Sequence, residues 1–133
     1  MIVVDTNVVA ALWLGTDRAP LSEALLRVDP EWVAPLLWRS EFRNVLAGAM
    51  RRGQLDTRAA QRLAGEAEAQ LRGGEYTVDG AHVLALVARS RCTAYDCEFV
   101  ALAEDLGVLV ATGDRQVLDA FPGIARSPED LLG

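Results

Sequence analysis

Short, mostly apolar runs at residues 2–5, 31–34, 75–78, 108–111 and 124–125 alternate with longer stretches whose apolar positions recur every three to four residues. The first pattern predicts buried strands. The second predicts helices over residues 6–14, 19–28, 36–52, 57–71, 80–90 and 94–106, with a short one after Asp114 carrying Val117, Leu118 and Phe121. Punctuation agrees with this division. Pro35 closes the second strand, Gly53 and Gly107 stop helices, and Asp56 or Thr57, Asp79 and Thr93 are placed to cap helix starts. A short turn is expected at the C-terminus. Apolar strands separated by helices predict an α/β fold, with a central parallel sheet of four to five short strands and helices on both faces. The 133 residues, with no linker or repeat, suit a single domain over 1–133.

Composition narrows the chemistry. The net charge is −6, all thirteen basic residues are arginine, His82 is the only histidine, and Cys92 and Cys97 are the only cysteines. Without lysine there is no Walker-type phosphate loop, Schiff-base nucleophile or Ser–Lys dyad. One histidine and two cysteines do not make a structural zinc site. A phosphatase or receiver domain normally needs a lysine beside its aspartates, so that reading is rejected. The two cysteines read as free, inert thiols, and His82 as a structural or surface helix residue. The uncharged run of residues 6–16 is far shorter than the ~20 residues of a membrane span. The expectation is a cytoplasmic protein that does not enter membranes.

What remains is carboxylate. Asp5 ends the first strand and Asp114 follows the strand at 108–111. If those strands are neighbours, both acids project into the crevice beyond their carboxyl ends, where open α/β sheets bind ligands. Either acid alone reads equally well as a helix cap. Asp96 lies on the apolar face of its helix, near Phe99, Val100 and Ala103 on the helical wheel, so it either caps that helix or faces a cleft. Glu98 points the other way on the wheel and is expected in solvent. Glu41 sits at the edge of the stripe Trp38, Phe42, Val45, Leu46 and Ala49, and on its own reads as a boundary residue paired with a nearby arginine. Two carboxylates 4 Å apart repel by about 4 kcal/mol at an effective dielectric near 20. Four together call for a hard divalent cation, and carboxylate-bound metal without a nucleophilic side chain points to phosphodiester hydrolysis.

The segments DTNVV (5–9), RSEFRNVL (39–46), TAYDCEFVALAEDLG (93–107) and VATGD (110–114), with the ending SPEDLL (127–132), resemble the signature blocks of PIN-domain ribonucleases. They are most similar to VapC-type toxins of toxin–antitoxin pairs. The resemblance spans essentially the whole chain. It implies a PIN-like fold and an acidic Mg2+ or Mn2+ site of Asp5, Glu41, Asp96 and Asp114, supported by Asn7 and the Thr112 hydroxyl. It also implies endonucleolytic cleavage of RNA, a homodimer, and inhibition by a cognate antitoxin protein. The alternatives are an orphan PIN nuclease without an antitoxin and a non-catalytic PIN-like binding or assembly module. The four acids disfavour the latter.

Setting the four acids aside leaves a net charge of −2, and residues 39–62 carry six arginines against Glu41 and Asp56. Arginine binds phosphate bidentately and stacks on bases. Arg43, Arg52 and Arg115 are therefore the candidate RNA contacts, each equally readable as part of a solvated surface. Trp13, Trp32, Trp38 and the leucines near them are expected mostly in the core.

Overall fold

The computed structural model describes all of residues 1–133. Five parallel strands, β1 (Ile2–Val4), β2 (Trp32–Pro35), β3 (Glu75–Tyr76), β4 (Val110–Ala111) and β5 (Ala125–Arg126), lie in the order β3-β2-β1-β4-β5. Eight helices surround them: α1 (Thr6–Leu14), α2 (Ala19–Val28), α3 (Leu37–Arg51), α4 (Thr57–Leu71), α5 (Gly80–Ala88), α6 (Ala94–Leu106), α7 (Arg115–Ala120) and α8 (Pro128–Leu132). The α/β parallel architecture matches the sequence reading, at five strands. β3 and β4 are each two residues long, shorter than the pattern predicts. β3 pairs only Ala34 with Glu75 and Pro35 with Tyr76, and the chain leaves the sheet before Val78. Pro35 lies inside β2 rather than beyond it, and the last strand is Ala125–Arg126 instead of 124–125.

Strand order decides where a site can form. β1 is flanked by β2 and β4, with Val3 opposite Val110 and Val4 opposite Ala111. Asp5 and Thr112 therefore leave adjacent strand ends together, and Asp5 N–H still donates to the Ala111 carbonyl at 2.9 Å. β1 is completely apolar because it lies at the sheet's centre. Val3, Val4, Val33 and Val110 join Trp38, Phe42, Phe99 and Leu102 in a cluster of 21 buried residues. α6 packs on β1, β2 and β4 with α5 against it, whereas α3 and α4 meet β2 and α1. A second cluster of nine, including Leu86, Cys97, Val100 and Val117, joins α5, α6 and α7.

The helix boundaries have local causes. Asp56, Asp79, Thr93 and Ser127 each accept a backbone N–H in the first turn of the following helix. Gly107 ends α6 at φ +68, in the left-handed region that glycine enters without steric cost. Gly74 is required for a different reason: a Cβ there would stand 2.5 Å from the Trp32 carbonyl oxygen, so a side chain would push β3 off β2. Trp32 and Trp38 are buried, as expected, but Leu36 is 47% exposed. No helix is long and apolar enough to cross a membrane.

His82 has a structural role. Its Nε2 lies 2.8 Å from Glu104 Oε1 and its Nδ1 3.1 Å from Asp105 Oδ1, clasping α5 to the end of α6, while Arg89 reaches the other Glu104 oxygen at 3.3 Å. Both ring nitrogens can donate only in the imidazolium. Hydrogen bonding to Glu104 and the charge of Asp105 accordingly raise the His82 pKa from 6.5. A raised histidine pKa means stability that is complete below the unfolded value and fades as pH rises through the folded one. The clasp is partly exposed and contributes under about 1 kcal/mol. His82→Gln is expected to lower Tm by about 2–4 °C at pH 6 and by less at pH 9. An equal loss at both values, measured by thermal denaturation, would show that charge is not what the clasp uses.

Candidate functional site

Four acids converge beyond the carboxyl ends of β1 and β4, each delivered by a different element. Asp5 caps α1, its Oδ1 accepting Thr6 N–H at 2.8 Å. Its Oδ2 accepts from Thr112 Oγ1 at 2.7 Å and from Asn7 Nδ2 at 3.3 Å. Asp5 is 7% exposed. Burial pushes its pKa from 3.8 up to about 6, against the hydrogen bonds from Thr112 and Thr6 and with added repulsion from Glu41 and Asp96. Glu41, one turn into α3, accepts from Thr6 Oγ1 at 2.7 Å. Its pKa is raised by burial and by the charges of Asp96 and Glu98. Asp96 lies in the first turn of α6, raised by burial and by Asp114. Asp114 caps α7 by accepting Gln116 N–H at 2.8 Å.

Two alternatives left open by the sequence resolve here. Asp96 both helps close the α6 start and faces the other acids. Thr93 Oγ1 accepts its N–H at 3.1 Å, and Thr93 in turn hydrogen-bonds the Asp96 carboxyl. Glu41 has no arginine partner, contrary to its solitary reading; a threonine hydroxyl from α1 holds it instead. None of the four acids makes an ion pair.

Asn7 and Thr112 form the bracket between the strands. Asn7 Oδ1 accepts Gly113 N–H at 3.0 Å, and its Nδ2 also reaches Thr112 Oγ1 at 3.3 Å. Thr112 Oγ1, fully buried, accepts Asp114 N–H at 3.0 Å while donating to Asp5. One hydroxyl thus sets the spacing of two acids that are 109 positions apart in sequence.

The donor set consists of carboxylate, hydroxyl and amide oxygens, which suits a hard divalent cation rather than zinc. No three of the histidine, cysteine, aspartate and glutamate side chains stand close enough to hold one ion directly. The acids form an open arc. That fits an ion such as Mg2+, which keeps several waters and takes one or two carboxylates, better than a closed structural cage.

The candidate RNA-contact arginines separate. Arg43 reaches Glu68 at 3.1 Å, on the seam between α3 and α4. Arg115 lies 3.9 Å from Asp119 and is 80% exposed. Arg52 lines a groove of about 530 Å³ that runs over Ala10, Ala11, Leu14 and Val45 to Asn7, Gly113 and Asp114. Arg39, in the same basic stretch, is committed to structure: its Nε and NH2 grip Glu75 at 2.6 and 2.7 Å. Glu98 corrects the helical wheel. It is half-buried, its pKa raised by burial, with its charge felt at Glu41. Cys92 and Cys97 are buried free thiols.

The family model for the PIN domain matches residues 2–123. The chain belongs to the PIN-domain family. It is 30% identical over 126 residues to Ribonuclease VapC3 of Pyrobaculum aerophilum, covering 92% of this chain and 96% of that protein. Solved structures share the PIN fold. The crystal structure of PAE2754 from Pyrobaculum aerophilum superposes with a TM-score of 0.77 at 23% identity, over 98% of this chain and 85% of the other. A toxin–antitoxin complex from Klebsiella pneumoniae gives 0.70 at 19% identity, over 96% and 98%. The PIN-domain resemblance seen in the four sequence blocks is therefore correct.

Proposed function

We propose that this PIN domain is an endoribonuclease dependent on a divalent cation, the toxin of a toxin–antitoxin pair. The observation that carries the reading is the arc of four acids at adjacent strand ends with no cationic side chain to neutralise it. The relative named Ribonuclease VapC3 supports it over nearly the full length. Asp5, Glu41, Asp96 and Asp114 would hold Mg2+ or Mn2+ in part through the ion's waters, and the ion when bound would lower the pKa of a coordinated water and stabilise charge on a phosphoryl oxygen.

The chain's own residues do the rest. Thr6 serves two acids, its N–H holding Asp5 and its hydroxyl holding Glu41, so the two carboxylates keep a fixed relation. Thr112 and Asn7 orient the second oxygen of Asp5 in the same way. Arg52, which lines the same groove as Asp114, attracts the phosphates of an incoming strand. An antitoxin would silence the enzyme by filling the acidic cleft, and two copies of the chain would pair as a homodimer.

The test is cleavage of structured RNAs by the purified protein with Mn2+ or Mg2+. Cleavage is expected to cease in EDTA and to fall at least a hundredfold in Glu41→Gln and Asp96→Asn. Arg52→Glu is expected to weaken RNA binding and flatten its salt dependence by about 0.7 per lost phosphate contact on a single strand. Cutting that survives EDTA or both acid substitutions would remove the proposed site.

A further inference from the structure

Beyond the acid arc, on the side of β2 and β3, lies a second cavity of about 410 Å³. Its walls are Leu36, directly after β2, Tyr76 at the end of β3, Val78 in the turn that follows, and Val83 and Leu84 of α5; Glu98 of α6 stands in it. Leu36 and Leu84 are 47% and 64% exposed, so the chain itself leaves these apolar surfaces uncovered. Glu98 makes no ion pair, and no hydrogen bond from within the chain reaches its carboxylate. Solvent supplies its donors in the free chain, so a ligand that fills the slot must bring donors of its own in their place. The slot borders the acid arc through the elements they share: Glu98 follows Asp96 by two residues on α6, and Leu36 immediately precedes α3, which carries Glu41.

We propose that this slot binds a guanine base of the RNA strand next to the phosphate that is cut, with the Glu98 carboxylate accepting from the base's N1–H and N2–H. The inference rests on the ribonuclease reading and deepens it by naming what the enzyme selects. The apolar walls and the Tyr76 ring suit the flat faces of an unstacked base, the form in which single-stranded RNA is read. An ionised carboxylate only accepts, through two oxygens side by side. Guanine alone among the four bases presents two adjacent donors on its Watson–Crick edge; adenine, cytosine and uracil each present a single donor group there. A protein arginine also offers paired donors, but it has no need of two apolar walls and an aromatic ring set at the strand ends.

The test measures binding first, by fluorescence anisotropy of single-stranded 9-mers in EDTA, so that nothing is cut. An oligonucleotide with one central guanine is expected to bind about tenfold more tightly than its adenine counterpart, with inosine, which lacks the N2 donor, in between. Glu98→Gln should erase the difference between guanine and adenine, and Leu84→Asp should weaken binding of the guanine strand. Equal binding of all strands by the parent, or a guanine preference that persists in Glu98→Gln, overturns the proposal. So does an effect of Glu98→Gln confined to arginine-containing peptides, which would assign the slot to a protein. A guanine preference in binding without any cleavage in Mn2+ would defeat the ribonuclease reading and leave the slot standing.

Discussion

Asp5→Asn is expected to abolish RNA cleavage and, without divalent cations at pH 7.5, to leave the chain more stable than the parent. The reason is the position of the carboxyl. Burial holds its pKa at about 6 rather than 3.8. An acid whose folded pKa is raised binds protons more tightly in the native state, so its contribution to stability falls as pH rises from about 4 through about 6. Two pH units at roughly 1.4 kcal/mol each set a ceiling near 3 kcal/mol on the cost of keeping Asp5 ionised. Asparagine avoids that cost and keeps an oxygen for Thr6 N–H, but it disturbs the bond from Thr112. A net gain of about 1–2 kcal/mol remains, or several degrees in Tm. Below pH 4.5 the gain should vanish. Saturating Mn2+ should reverse the order, because a ligand at a hundred times its Kd adds about 2.7 kcal/mol to the protein that binds it. Thermal denaturation at pH 4.5 and 7.5, with and without Mn2+, reads all four values. A variant less stable than the parent at pH 7.5 in EDTA would mean that Asp5 serves the fold more than it strains it.

What the sequence discloses about this site, and what it hides, follow from the range of the interactions involved. Strand and helix types follow from periodicity, and most helix starts from residues adjacent in the chain: Asp56, Asp79 and Thr93 cap where they were expected to. The neighbouring of β1 and β4 appeared only as a condition; the register of Val4 with Ala111 satisfies it and brings Asp5 to Thr112. Partners distant in sequence were not legible. Glu41 takes a hydroxyl 35 positions away, not a nearby arginine. The arginine run at 39–62 looked like a free basic surface, yet Arg39 and Arg43 are claimed by Glu75 and Glu68, which a local charge count does not see. Glu98 was misplaced because a helical wheel treats α6 as having one buried face. The turn between β3 and α5 covers a second one, and no periodicity within α6 reports that.

Trp38→Ala is expected to be the most damaging core substitution for activity, out of proportion to its effect on stability. The side chain is fully buried, with its ring centroid 5.9 Å from that of Phe42, and its Nε1 donates to Glu75 Oε2 at 2.8 Å. The same carboxylate is gripped by Arg39, which holds its pKa below the ordinary value. Trp38, Arg39 and Glu75 thus pin the start of α3 to the edge strand β3, and Glu41 follows less than one turn later. Removing the indole costs about 3–5 kcal/mol, a large share of the 5–15 kcal/mol that holds a typical domain together. The urea midpoint should fall sharply with little change in slope. Leu86→Ala is the control: Leu86 is 1% exposed in the cluster between α5 and α6, and its truncation costs about 2–5 kcal/mol without touching α3. At a temperature where both variants remain folded, Leu86→Ala should cut RNA at close to the parent rate, while Trp38→Ala should lose tenfold or more in kcat as Glu41 drifts from Asp5 and Asp96. Equal rates in the two variants would mean that α3 holds Glu41 in place without its anchor on β3.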